Sequence, residues 1–257
     1  MSKDHVIIIC RTNSKRFKNK AIKKFNKSTL IEHLINNIKN TNYFKSKNIC
    51  IATTKLKSDD ILEKIAKKNN INILRGSKKN IIERIFNTFK RFNISRALIT
   101  SGDNPFFLKD VAKKILSKKN KVVFTENLPV GLNLTMVNAF AINKINKACL
   151  TTNNENGFYL YLQSKIEETK VINYNNSKAK DNSRFTIDYP EDFLFFKKIT
   201  PLIGKNMSYP KIKEILKKNP KLKKINLHNN DKYKLNLKKK VYLKILDRNK
   251  IANIYFN

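Results

Sequence analysis

Val6-Ile7-Ile8-Ile9-Cys10 runs directly into Arg11-Thr12-Asn13-Ser14-Lys15-Arg16-Phe17-Lys18-Asn19-Lys20, and the reading of this stretch decides the fold. An apolar run this short and this rich in β-branched residues reads as a buried strand. The segment after it is a loop carrying Arg11, Ser14, Arg16 and Lys20. In an open α/β sheet, ligands bind at the carboxyl ends of the strands, which puts this loop in the ligand crevice. Its donors suit a polyanion, because arginine grips phosphate through paired bonds and lysine acts as a point charge. In a chain this rich in lysine, the same loop reads equally well as a solvated basic turn, and charge alone does not choose.

Outward from the loop, strands and helices alternate. Thr29-Leu30-Ile31-Glu32 has capping-box spacing, and Leu30, Ile31, Leu34, Ile35 and Ile38 follow at helical period. Residues 48–53 read as a second strand, and Ser58 as the cap of a helix to Asn69 with Ile61, Leu62, Ile65 and Ala66 on one face. Ile71 to Leu74 is a third strand. Residues 80–92 form a helix with Ile81, Ile82, Ile85, Phe86 and Phe89 inward, and Ala97 to Thr100 is a fourth strand. This order predicts βαβ units and an α/β fold with a mainly parallel, Rossmann-like sheet. Past residue 120 the alternation loosens. Lys121–Thr125, Leu134–Ile142 and Val171–Tyr174 read as strands, and Glu155–Glu168, Glu191–Ile199 and Tyr209–Lys218 as helices. One domain over residues 1–226 and a lysine-rich C-terminal extension over 227–257 are expected, the extension with no assigned role.

The formal charge of +36 resembles that of a nucleic-acid binder. Yet lysine is spread along the whole chain together with abundant asparagine and isoleucine, a joint excess that A/T-rich codons produce. No helix-turn-helix, zinc-finger or RNA-recognition pattern is evident, so no specific nucleic-acid partner is expected, only salt-sensitive sticking to polyanions. The three cysteines, at 10, 50 and 149, have no metal-like spacing and suggest a reducing compartment. The N-terminal residues show no signal-peptide architecture, and no apolar run approaches the roughly 20 residues that span a bilayer. A cytoplasmic protein without a membrane partner is the expectation. The first glycine is Gly76, which excludes a glycine-rich dinucleotide fingerprint or a Walker-type loop at the first strand. His5, His33 and His228 match no triad or metal spacing.

Several short motifs follow the basic loop in a fixed order: Ala52-Thr53-Thr54, Leu74-Arg75-Gly76-Ser77, Thr100-Ser101-Gly102-Asp103-Asn104-Pro105 and Arg184-Phe185-Thr186-Ile187-Asp188-Tyr189-Pro190-Glu191-Asp192. With the opening pattern Arg-x-x-Ser-x-Arg-Phe-x-x-Lys, this series resembles the cytidylyltransferases that activate acidic sugars, over about residues 5 to 225. The acylneuraminate and 3-deoxy-manno-octulosonate enzymes belong there, and the SpsF-type proteins of spore-coat polysaccharide synthesis are most similar. The resemblance implies the sheet of the nucleotide-diphospho-sugar transferases, with a mixed-sheet half on the acceptor side that often makes a homodimer contact. It also implies transfer of CMP from CTP to a sugar, acidic or of the nonulosonic type, with release of pyrophosphate.

The same resemblance assigns roles. Arg11, Arg16 and Lys20 hold the triphosphate, with Ser14 as a hydroxyl donor. Asp103 and Asp188 hold Mg²⁺, and with Lys20 they form the catalytic set. Arg75 and Ser77 edge the base pocket, Ser101 joins the substrate-binding residues, and Arg84 lies on the following helix as a candidate to reach the crevice; by themselves, Arg75 and Arg84 read equally well as surface arginines. Taken alone, Gly102-Asp103-Asn104-Pro105 is equally a simple turn and Asp188 equally a turn cap before Pro190. Glu191 and Asp192 read as helix-opening residues. Three departures from the family pattern concern the loop and the acceptor side. Asn19 replaces a glycine before the motif lysine, Asn133 and Thr135 stand where acidic residues are common, and Asn154-Glu155-Asn156-Gly157 stands near a missing Arg-Glu-His-x-Thr segment. Three alternatives stay open: an enzyme of the same fold using another nucleotide or acting as a glycosyltransferase, a non-catalytic sugar-nucleotide-binding protein, and, on charge alone, a polyanion-binding protein.

Overall fold

The computed structural model describes residues 4–14, 16–152, 169–174, 181–205, 207–240, 242–247 and 250–255. Its centre is a seven-stranded sheet. In chain order the strands are β1 (His5–Ile9), β2 (Ile49–Thr54), β3 (Asn72–Gly76), β4 (Arg96–Ser101), β5 (Val122–Glu126), β6 (Thr135–Asn138) and, after β7 (Cys149–Thr152) of a second sheet, β8 (Thr169–Asn173). The spatial order is β8-β5-β6-β4-β1-β2-β3. All neighbours run parallel except β6, which is antiparallel to both β4 and β5. The expected mainly parallel sheet with a mixed second half is therefore present.

Helices cover both faces, as parallel strands require. Along β1, Val6 and Ile8 pack with α1 (Leu30–Asn40), α2 (Asp60–Lys68) and α4 (Lys109–Leu116), whereas Ile7 and Ile9 pack with α3 (Ile81–Arg91) and α5 (Ala139–Ala148). This is the two-residue alternation of a strand buried on both sides. Thr29 caps α1 by a full capping box with Glu32, as its spacing predicts. Further on come α6 (Pro190–Ile203), α7 (Tyr209–Lys218), α8 (Pro220–Lys224) and α9 (Asn229–Lys240). The lysine-rich tail, for which sequence offers no placement, adds a hairpin of β9 (Tyr242–Asp247) and β10 (Lys250–Tyr255) that pairs with β7. Among the described residues no helix is long and apolar enough to cross a membrane. Cys10 and Cys50 are buried thiols outside any disulfide.

Four local expectations need correction. The strand expected over Leu134–Ile142 stops at Asn138, where the side chain accepts from Ala141 N at 2.8 Å and opens α5, burying Ala141, Ile142 and Ile145. Residues 184–188, whose alternation reads as a strand, are buried but form none, making an isolated bridge between Arg184 and Val130 in its place. Ile61, expected inward, is 37% exposed, while Leu62, Ile65 and Ala66 are buried. Ser58 does not cap α2; a short 3₁₀ turn over Lys57–Asp59 precedes it instead. The expected helix over Glu155–Glu168 lies outside the described residues.

The reason for that turn is Asp59, which is fully buried and faces the ends of β1 and β2 rather than its own helix. Its Oδ1 accepts from Thr12 N at 2.8 Å and Thr12 Oγ1 at 2.7 Å. Its Oδ2 accepts from Thr53 Oγ1 at 3.1 Å, Thr54 N at 3.3 Å and the Thr54 hydroxyl. Burial opposes the negative charge, but these donors outweigh it and hold the carboxyl below its usual range. Asp59 thereby fixes the start of the basic loop to the second strand.

Replacing this anchor, Asp59→Ala, should lower stability by about 3 kcal/mol, the order of two charge-assisted hydrogen bonds. Urea unfolding would show this as a lower midpoint with unchanged slope. A second expectation concerns His33, whose ring lies edge-on to Phe25 and Phe196 with a buried, unbonded Nε2. Burial lowers its pKa to about 4. Between about pH 6.5 and that value the unfolded chain binds a proton the folded chain refuses, so stability falls with pH. His33→Leu should therefore gain on the wild type as pH drops from about 7 to about 4.5; a constant difference in unfolding midpoint would exclude His33 as the cause.

Candidate active site

Three segments distant in sequence converge at the carboxyl ends of β1 and β4. The first is the basic loop. Asn19 holds φ of 55°, the left-handed region that asparagine tolerates better than most residues, and this turn directs Lys20 inward. The second is the turn after β4, where Gly102 lies against Cys10; a Cβ there would come within 2.6 Å of the Cys10 Sγ. The third is the extended segment 184–188. It is pinned by Phe185 N to Val130 O at 2.8 Å and by Ile187 N to Asp103 O at 2.8 Å. Gly131, at φ +93°, lets the 129–132 turn approach it so closely that a Cβ would lie 2.5 Å from Thr186 N.

At the meeting point sits the Lys20 ammonium, in a residue only 9% exposed. It donates to Asp103 Oδ2 at 2.6 Å, Asp188 Oδ1 at 2.9 Å and the Ile187 carbonyl at 2.8 Å. Arg16 Nη2 reaches the same Asp188 Oδ1 at 2.6 Å, and its guanidinium lies 5.7 Å from the centre of the Tyr189 ring. From behind, Arg184 Nη2 donates to Asp188 Oδ2 at 2.7 Å. Burial works against the Lys20 charge, but Asp103 and Asp188 overcome it and raise the pKa. Burial likewise opposes ionisation of Asp103, yet Lys20, the Ser101 hydroxyl and Arg16 hold its carboxyl below the ordinary range. Asp103 is thereby kept ready to act as an anion.

Of the residues singled out by sequence, Arg16, Lys20, Ser101, Asp103 and Asp188 are brought together. Arg11 is exposed on the same loop, and Ser14 is half-buried beside it, its N–H bonded to Thr12 O at 2.9 Å. Arg75 is not brought to this cluster: it holds Thr54 O and Leu56 O and pairs with Asp60 at 2.6 Å and Glu63 at 3.0 Å on α2. Ser77 caps the turn before α3 by accepting from Asn80 N, and its carbonyl accepts from the buried Arg84 at 3.1 Å. Asn133, one of the departures from the family pattern, bridges Thr125 Oγ1 and Leu128 O, both at 3.2 Å, and Thr135 is buried in β6; residues 154–157 lie outside the described residues. Sequence reasoning missed the supporting roles of Asp59 and Arg184.

Asp103 and Asp188 already offer their oxygens to one cation, the lysine ammonium, so they can face a single metal ion. Among the described residues no group of three or more His, Cys, Asp or Glu side chains could hold a metal. Two carboxylates suit a hard divalent ion that completes its shell with water and phosphate oxygens.

A family model described as cytidylyltransferase matches residues 5–225. An uncharacterized protein of Methanocaldococcus jannaschii, MJ1063, is 29% identical over 229 residues, covering 86% of this chain and 93% of that protein. The spore coat polysaccharide biosynthesis protein SpsF of Bacillus subtilis is 23% identical over 225 residues, covering 83% of this chain and 94% of that protein. The fold matches a cytidylyltransferase structure from Leptospira borgpetersenii with a TM-score of 0.75 at 22% identity, over 87% of this chain and 97% of the other. With the match running through the basic loop, the turn after β4 and the 184–188 segment alike, this chain belongs to the cytidylyltransferase family of nucleotidyltransferases.

Proposed function

We propose that the protein transfers CMP from CTP to a hydroxyl of a sugar, acidic or of the nonulosonic type, and releases pyrophosphate, in the synthesis of a surface polysaccharide. The observation that carries this reading is the Lys20 ammonium bonded at once to Asp103 and Asp188, with Arg16 on the second acid. A cationic loop and two carboxyl groups at the mouth of a mainly parallel sheet are what in-line displacement at a phosphate needs, since such transfer depends on positioning and charge rather than on a protein nucleophile. Arg11, Arg16 and Lys20 bind the triphosphate, Ser14 donates a hydroxyl bond at its edge, and Ser101 serves the substrate site through the Asp103 carboxyl that its hydroxyl bonds. Asp103 and Asp188 hold Mg²⁺, which when bound neutralises charge developing on the α-phosphate and the leaving pyrophosphate. Arg75 and Ser77 stand farther out, where Arg75 shapes the base side through the Thr54 and Leu56 carbonyls that it grips.

Pyrophosphate release with CTP, Mg²⁺ and a panel of octulosonic and nonulosonic acids tests the reading directly. CTP at about 100 times its dissociation constant should stabilise the fold by roughly 2.7 kcal/mol; equal stabilisation by UTP or ATP would assign a different nucleotide. Asp103→Asn should abolish turnover while the protein stays folded, and near-normal turnover at low Mg²⁺ would return Asp103 to the role of a turn residue. Arg16→Ala removes a charge-assisted contact of about 1.5–3 kcal/mol, so CTP should bind roughly ten- to a hundredfold more weakly. Lys119→Ala removes the same formal charge from an exposed site and should change affinity little at physiological salt. Equal losses in both variants would mean that diffuse charge, not the loop, binds the nucleotide.

A further inference from the structure

Behind Asp188 lies a second buried carboxylate that the reaction does not touch. Asp192, in the first turn of α6, has a fully buried side chain. Its Oδ2 accepts from the backbone N–H groups of Asp188 at 2.9 Å and Tyr189 at 3.0 Å. Its Oδ1 accepts from Arg184 Nε at 3.0 Å, and the same guanidinium reaches Asp188 Oδ2 at 2.7 Å. Arg184 is thus a rigid bridge: one planar group touches both acids, and wherever Asp192 sits, Asp188 is aimed accordingly.

What holds Asp192 comes from the end of the chain. Asn226 Nδ2 donates to its Oδ1 at 3.0 Å and to the Arg184 carbonyl at 3.1 Å. Asn229 Nδ2, at the start of α9, donates to the same Oδ1 at 3.3 Å. The two asparagines are 1% and 0% exposed. Both lie beyond residue 225, where the match to the family model ends. An ionised carboxylate is costly to bury unless its oxygens are saturated, so these amides fix where Asp192 can be.

We propose that Asn226 and Asn229 are positioning residues of the reaction centre: acting through Asp192 and Arg184, they aim the Asp188 carboxylate at the cation it shares with Asp103. The proposal rests on the reading of Asp188 as a metal-holding acid. The start of the C-terminal extension is on this view part of the active site's support. Removing both amides leaves Asp192 Oδ1 with the Arg184 Nε alone, and the Arg184 bridge can then rotate.

The test compares Asn226→Ala, Asn229→Ala and the double variant with Leu222→Ala, which loosens the same C-terminal segment without touching Asp192. Mn²⁺ binding in the presence of CTP, followed by electron paramagnetic resonance, needs no turnover. Loss of partners standing behind a metal ligand weakens binding by about ten- to a hundredfold, and the double variant should show at least the lower figure while Leu222→Ala stays within twofold of the wild type. Turnover should fall mainly in kcat, with little change in KM for CTP. Equal effects in the double variant and Leu222→Ala, or no effect in either, would overturn the proposal. If the double variant does not fold, the single variants decide by the same comparison. A crystal structure of Asn226→Ala reads the network independently of metal and activity: a rotated Arg184 and displaced Asp188 support it, and both superimposing on the wild type overturn it. Failure of the functional reading looks different, as wild-type protein that releases no pyrophosphate from CTP with any acceptor although Asp188 moves in the variant.

Discussion

The site depends on one ammonium group between two carboxylates. Asp103 follows a strand of the sheet and Asp188 belongs to a segment outside it, and both bond the same Lys20 nitrogen. Two carboxyl groups bonded to one nitrogen lie close enough to repel when both are charged. Lys20 offsets that repulsion and ties the loop after β1 to the segment 184–188. It also places the charge a phosphate chain would meet at the point where the carboxylates can share a metal ion, so structural closure and ligand recognition draw on the same group.

Around this triad the chain repeats one device: a buried aspartate, saturated by donors from other segments, that fixes the part of the site in front of it. Asp59 does so for the loop, through Thr12, Thr53 and Thr54. Asp192 does so for Asp188, through Arg184. Each sits at or next to the start of a helix, where a carboxylate is favoured, and each spends part of its bonding capacity away from that helix. Rigid placement of charged groups is what a reaction governed by positioning requires.

The sheet was legible because its central strands are continuous apolar runs bounded by polar turns, and because Thr29 and Glu32 form the cap that their spacing announces. The residues that meet at Lys20 were legible only as motifs in order; their mutual distances follow from topology, which spacing does not encode. Leu134–Ile142 misled because Met136, Val137, Phe140, Ala141 and Ile142 make one apolar run across two elements, and the sole punctuation is Asn138. Asp59 was hidden by its neighbour Asp60: either could open the helix, and only tertiary structure shows which is free to turn inward. Asn226 and Asn229 carried no signal in a tail where asparagine and lysine are the background.

That background has a consequence for the turns. Asn19, Asn26, Asn42, Asn70, Asn93 and Asn127 all hold positive φ, and no other described non-glycine residue does. In a chain with only five glycines, asparagine has taken over the left-handed positions. Asparagine carries a Cβ, so the unfolded chain samples fewer backbone conformations at each such turn than glycine would allow, and less disorder is lost when the turn forms. The left-handed geometry itself strains asparagine more than glycine. These two effects oppose each other at every such turn, including the one that delivers Lys20.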